Sequence, residues 1–247
     1  MDAPASKHVL TRELIASDSL RRAYGAGGVE PWSLDRLDAS LDAILPRAST
    51  AEGAWVFGYG SLIWNPCIHI AESVVATVYG RHRSLALKTT FGRGTAEHPG
   101  LMLSLSPGGS CRGLMLRVDP SHLRDELLLL WRREMIAGSY TPRVLDVRIG
   151  AGSGEGLDAV PGNARGAAPG SPASRTVPAI VFDANPAHPN YCPPMQIEDA
   201  ARMIAAARGF NGANADYMHQ TLAALAAHGI RDRMLERLCR RLGPLPR

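Results

Sequence analysis

Between Trp55 and Phe182 the chain offers about seven short aliphatic or β-branched runs, each cut off by Gly, Pro, Ser or Asp. They are "WVF", "SVVATVYG", "RSLALK", "LMLSLS", "CRGLMLRV", "PRVLDVRI" and "TVPAIVF". Such runs bounded by turn formers are strand signals. A single clear helix interrupts them, "DPSHLRDELLLLWRREM", with Asp119 as N-cap and Pro120 at the first helical position. Strands that follow one another without alternating helices do not build a wound parallel sheet. The pattern predicts an α+β protein, a mixed β core with helices on its outside.

The two ends read as those helices. In residues 1–50, "SLDRLDASLDAIL" puts Leu34, Leu37, Leu41, Ile44 and Leu45 on one face, with Ser33 as N-cap. This segment is expected to pack on the core formed by residues 51–247, and it carries no recognisable chemistry. Near the other end, "PMQIEDAARMIAAARG" and "NADYMHQTLAALAAHG" each finish on a glycine, Gly209 and Gly229, suited to the C′ position. A last basic helix follows, with Met234, Leu235, Leu238 and Leu242 at helical spacing and a solvated basic face. Residues 150–174, rich in Gly, Ala, Pro and Ser, read as a flexible surface loop inserted between the last two strands.

Composition excludes several function classes. The chain has 247 residues, 45% hydrophobic and 20% charged, as a globular protein should. No run reaches the roughly 18–20 apolar residues of a membrane span. The N-terminus lacks the apolar core of a signal peptide, so a cytoplasmic location is expected. Four scattered cysteines without a C-x-x-C pair argue against a disulfide framework and against a zinc site. A net charge of +4 comes without a nucleic-acid recognition motif or interleaved aromatics.

Two places can carry chemistry. The first is "FGYGSLIWNP", where a hydrophobic run is broken by Gly58-Tyr59-Gly60-Ser61. Gly58 and Gly60 can take φ > 0, and a turn of that kind can aim successive N–H groups at an anion or oxyanion. A plain tight bend explains the same residues. The stretch is neither a dinucleotide fingerprint nor a G-x-S-x-G elbow, since Ser61 is followed by Leu62-Ile63-Trp64. The second is Glu134. Leu123, Leu127, Leu130 and Glu134 are spaced 4, 3 and 4 and fall on one stripe of the helix, whereas Glu126, Arg132 and Arg133 point elsewhere. A carboxylate on an apolar face is costly unless neutral or paired, and burial raises its pKa. Glu134 is therefore either a general acid/base tuned toward neutral pH, or a helix-end residue reaching solvent or pairing with an arginine such as Arg143.

With those residues named, "FGYGSLIWNP", "GRGTAEHPG", "LLLLWRREMIAGSY", "AIVFDANPAHPNY" and "IAAARGFNGANADYM", in that order, resemble the ChaC family of γ-glutamylcyclotransferases. The resemblance runs from about Trp55 into the C-terminal helices. It implies a compact mixed β-barrel of six to seven strands with flanking helices. It also implies cleavage of glutathione to 5-oxoproline and cysteinylglycine, without cofactor or metal. Tyr59, Gly60, Ser61 and Leu62 match the loop that cradles the γ-glutamyl group, Glu134 matches the catalytic glutamate, and Tyr217 matches a tyrosine near the substrate. The 150–174 segment departs from the family, standing where a short hairpin connection is usual. The implied partner is small-molecule glutathione, with no nucleic acid or membrane; the oligomeric state is left open. Two alternatives stand beside this: turnover of other γ-glutamyl amino acids or amines, and a non-catalytic binding or regulatory protein of the same fold.

Overall fold

A computed structural model describes residues 10–150 and 174–244; most of the expected loop at 150–174 lies outside the described residues. In chain order the elements are α1 Arg12–Ala16, α2 Ser19–Ala26, α3 Leu34–Ala48, β1 Ser49–Thr50, β2 Gly53–Gly58, β3 Glu72–Thr89, β4 Gly100–Val118, α4 Leu123–Glu134, β5 Tyr140–Ile149, β6 Arg175–Ala184, α5 Ile197–Ala206, β7 Arg208–Gly209, β8 Gly212–Ala213, α6 Asn214–Ala227 and α7 Arg233–Leu242. Short 3₁₀ turns, Ser61–Ile63 and Pro120–His122, precede the β3 region and α4.

The sheet runs β1-β2-β4-β3-β5-β6 and closes because β6 also pairs, in parallel, with β2 through Trp55–Ala179 and Val56–Ile180. Five strands thus form a closed barrel and β1 is a short extra strand. Closure leaves those five strands no free edge. Every residue of β2 is buried, since it is covered on both faces and paired on both sides. The expected runs "SVVATVYG" and "RSLALK" fuse into one strand, as do "LMLSLS" and "CRGLMLRV". At each fusion the glycines make a bulge instead of a turn: the register slips between Tyr79 and Arg81, opposite Gly108 and Gly109, with Gly80, Gly108 and Gly109 at positive φ.

The helices seal this barrel. Ser33 Oγ accepts the Arg36 N–H at 3.2 Å and starts α3, whose Leu37, Leu41 and Ile44 are buried. Asp119 accepts the Ser121 N–H at 2.9 Å and Pro120 opens the turn into α4. On α4, Leu127, Leu130 and Trp131 are fully buried, with Trp131 edge-on to Phe182 of β6 at 5.4 Å. Glu126 also goes inward, contrary to the helical-stripe reading. Its carboxylate takes two bonds from Arg12 of α1, at 2.6 and 2.7 Å, and one from the His69 N–H at 2.9 Å, so the N-terminal segment is clamped to α4.

At the other end α6 is docked on β4 by Asn214, which bonds both backbone groups of Leu101 at 2.7 and 2.9 Å. Gly229 closes α6 as expected, at φ 66, with its N–H on Ala226 and the Ile230 N–H on Leu225. Gly209 does not play that part. The α5 helix stops at Ala206, and Gly209 lies in β7, where a Cβ would stand 2.6 Å from the carbonyls of Gly92 and Gly94; glycine is needed there for close backbone approach. All four cysteines are free thiols. Among the described residues no helix is long and apolar enough to cross a membrane.

Candidate active site

The site lies where β2 leaves the barrel wall. Beyond Gly58 the strand turns away, and β4 pairs directly with β6 at Leu105–Asp183. The departing turn is held from two sides. The Tyr59 hydroxyl donates to Phe182 O at 2.6 Å, and buried Arg83 donates from Nε to Tyr59 O at 2.8 Å. Arg83 is itself fixed by Asp232, the N-cap of α7, and by Arg112 O. Neither Gly58 nor Gly60 takes the positive φ that their pairing suggested; Gly60 sits at φ −136, ψ −131. The reason for glycine at 60 is room: a Cβ there would be 3.0 Å from the Tyr217 hydroxyl. Ser61–Ile63 then form a 3₁₀ turn whose first bond is Ile63 N–H to Gly60 O, so the N–H groups of Ser61 and Leu62 precede its bonding pattern.

Glu134 ends α4 directly opposite. Its side chain is 14% exposed, and burial pushes its pKa up, against the pull of the Arg133 charge. The Arg133 Nε lies 2.9 Å from Glu134 Oε1, close enough for an ion pair but out of line for a hydrogen bond, so Oε1 has no hydrogen-bond partner among the described residues. Arg143 does not reach Glu134; it pairs with Asp183 at 3.0 Å. Arg133, expected to point away, is in fact turned inward at the end of α4 with only 6% exposure. It donates to Ser61 Oγ at 2.9 Å and to Asn65 O.

Tyr217 comes from the first turn and a half of α6, positioned by the Asn214 anchor, and is buried. Tyr59, Gly60, Ser61, Leu62, Glu134 and Tyr217 together line one small cavity of about 20 Å³, with Leu103, Tyr140 and Phe182. That cavity shares Ser61, Glu134, Tyr140 and Tyr217 with a cleft of about 700 Å³, in the range of small-molecule sites. Burial raises the pKa of Tyr59, Tyr140 and Tyr217, with the nearby Glu134 charge adding to it, so all three are phenols at neutral pH. Tyr140 donates to Leu103 O at 3.0 Å.

A profile of the ChaC-like protein family matches residues 54–243. The chain belongs to the ChaC-like family. Relatives of this ChaC-like protein include the glutathione-specific gamma-glutamylcyclotransferase of Escherichia coli K12, 37% identical over 91% of this chain and 88% of the relative. The glutathione-specific gamma-glutamylcyclotransferase 1 of Danio rerio is 30% identical over 66% of this chain and 74% of the relative. A crystal structure of a glutathione-specific γ-glutamyl cyclotransferase from yeast superposes with a TM-score of 0.64 at 24% identity, over 77% of this chain and 96% of that chain, and shares the fold.

Several residues of the ChaC-like site carry no sequence signal of their own. Arg133 sits about 100° around the helix from Glu134, so periodicity assigns it to another face. The N-terminal segment, expected to be chemically silent, supplies Leu10, Tyr24 and Val29 to the cleft wall. Loop residues Phe91, Arg93 and Phe210 also line it, and loops have no period to read. Among the described residues no three His, Cys, Asp or Glu side chains are grouped to hold a metal ion.

Proposed function

We propose that this protein degrades glutathione by γ-glutamyl cyclotransfer, releasing 5-oxoproline and cysteinylglycine, in the cytoplasm. The observation that carries this is a buried carboxylate, Glu134, sharing one cavity with the Ser61 turn and Tyr217 in a chain whose relatives bear that activity. The substrate supplies the nucleophile. Its α-ammonium gives a proton to Glu134, and the free amine attacks the γ-carbonyl carbon. A C–N bond forms within a five-membered ring. The amide C–N bond to cysteine then breaks, Glu134 returns its proton to the departing amine, and the second surplus proton of the ring nitrogen passes the same way, so the ring keeps one N–H and the cysteine leaves as an ammonium. A raised pKa suits a group that must both take and give that proton near neutral pH.

Folding the γ-glutamyl chain into attack geometry supplies much of the acceleration, since intramolecular reactions reach effective molarities of about 10⁵ M and more. The N–H groups of Ser61 and Leu62, at the start of the 3₁₀ turn and without a hydrogen-bond partner among the described residues, suit the oxyanion or the substrate carboxylate. Ser61, bonded to Arg133, positions and does not attack. The scheme needs no water nucleophile, metal or cofactor. The deciding experiment is incubation of the purified protein with reduced glutathione and mass-spectrometric assay of 5-oxoproline and cysteinylglycine. Stoichiometric appearance of both is expected; no turnover of any γ-glutamyl compound would sink the proposal.

A further inference from the structure

Of the six residues around the small cavity, Ser61, Glu134 and Tyr217 also line the cleft, and they account for its inner end only. The outer end has a composition of its own. Tyr24 of α2, Phe91 of the β3–β4 loop and Phe210 of the β7–β8 turn form a continuous aromatic wall, with ring centroids 4.5 Å and 6.0 Å apart. The wall is built tightly: a Cβ on Gly27, the C-cap of α2, would stand 2.6 Å from the Phe91 ring. The two loops are stitched together by Asn211 N–H to Gly92 O at 2.6 Å and by Arg93 Nη1 to Ala213 O at 3.0 Å. The Tyr24 hydroxyl has no hydrogen-bond partner among the described residues, although burial, with the Glu134 charge behind it, pushes its pKa up to about 12.

Beside this wall stand Lys88, Arg93 and Arg208. Among the described residues none of the three has a carboxylate within 4.0 Å. The carboxylate nearest in kind, Asp216, is the single acid lining this end. Arg93 is the cation fixed by structure: it is partly buried and held by one bond, which leaves most of its five N–H donors free for a ligand. Lys88 and Arg208 are exposed and offer only a diffuse positive field.

A net positive end with an aromatic side is a receptor for an anionic group joined to something apolar. We propose that the outer cleft is a subsite for the departing part of a γ-glutamyl peptide, in which Arg93 binds the C-terminal carboxylate and the Tyr24–Phe91–Phe210 wall carries the side chain before it. This rests on the γ-glutamyl reading above and extends it. Specificity for peptides over γ-glutamyl amines then comes from a carboxylate distant from the scissile bond, and the N-terminal segment is part of the substrate site through Tyr24.

The test uses the full chain and two substrates, glutathione and its monoethyl ester, in which the glycyl carboxylate is blocked. Release of 5-oxoproline is followed for the wild type, Arg93→Gln and Arg93→Lys. The wild type should turn over the ester with a kcat/KM about tenfold lower, chiefly through KM, the scale of one charged hydrogen bond. Arg93→Gln should lose about tenfold on glutathione and nothing further on the ester, so that the two substrates become equivalent. Arg93→Lys should restore part of the preference. Equal wild-type use of both substrates, or an equal loss on both in Arg93→Gln, would overturn the subsite while leaving the cyclotransferase reading intact. Failure of the wild type on both substrates would overturn the two together.

Discussion

Arg133 and Glu134 are neighbours in sequence on one helix, yet the guanidinium lies 2.9 Å from the carboxylate at Nε–Oε1 and at the same time holds Ser61 Oγ at 2.9 Å. Two side chains that helical geometry would separate by about 100° meet at the end of α4, where the Arg133 side chain reaches across to the Ser61 turn and passes Glu134 on the way. Arg133 thus couples the carboxylate to the loop across the cavity.

Glu134→Gln should keep the fold and lower 5-oxoproline release by about 10²–10⁴-fold, the usual contribution of a general acid/base. Burial raises the Glu134 pKa, so above that pKa its charge opposes folding. The neutral amide should therefore not lower the melting temperature at pH 7. Near-wild-type turnover by this variant would refute the assignment.

Arg133 opposes the effect of burial on Glu134. A base works deprotonated, so kcat/KM should fall as pH drops through the Glu134 pKa. In Arg133→Gln that pKa rises further, and the acid limb of the kcat/KM profile should move to higher pH. A limb that stays in place, with only a uniform drop in rate, would leave Arg133 a purely structural role.

Ser61→Ala removes the acceptor of one Arg133 bond. Loss of about 1.5 kcal/mol, near tenfold in kcat/KM, is expected. A loss as deep as that of Glu134→Gln, with a covalent acyl-enzyme seen by intact-mass measurement, would make Ser61 a nucleophile instead.

The Glu126 clamp predicts acid sensitivity. Burial works to raise its pKa, but the bonds from Arg12 and the His69 N–H outweigh it and hold the carboxyl at about 2, below the ordinary 4.5. The depressed pKa means stability that is fully present above pH 4.5 and lost as pH falls toward 2. Urea midpoints should fall over that range in the wild type and much less in Glu126→Gln. Arg12→Ala should cost about 3 kcal/mol at pH 7, at the lower end for a buried pair because Arg12 is 33% exposed.

Gly113→Ala would put a Cβ 2.3 Å from Gly58 O, at the point where β2 leaves the barrel. The clash is with backbone and cannot relax by a rotamer change. Destabilisation of about 3 kcal/mol in urea unfolding is expected, with loss of activity even under conditions where the variant stays folded.

Local pattern carried a large share of this protein. Strand runs, the Ser33 and Asp119 caps, the Gly229 helix end and the buried stripe of Leu127, Leu130 and Glu134 all depend on neighbours within a few residues, and each was legible in the chain. So was the set of six residues that the fold gathers around one cavity, through the order of the motifs that carry them. What could not be read is what closure decided. Whether Gly80 and Gly108-Gly109 end strands or bulge them depends on the partner strand, and in a closed barrel the partner is always present. Gly60 is a glycine for room beside Tyr217, and Gly113 for room beside Gly58 O, not for φ, because those contacts come from α6 and β2. Arg133, Glu126, Tyr24 and Arg93 acquire their places from a helix end, a clamp and two stitched loops. The physical reason is the same for each: periodicity reports which face of an element is apolar, and only the packing of elements far apart in sequence reports what that face, or the loop beside it, will meet.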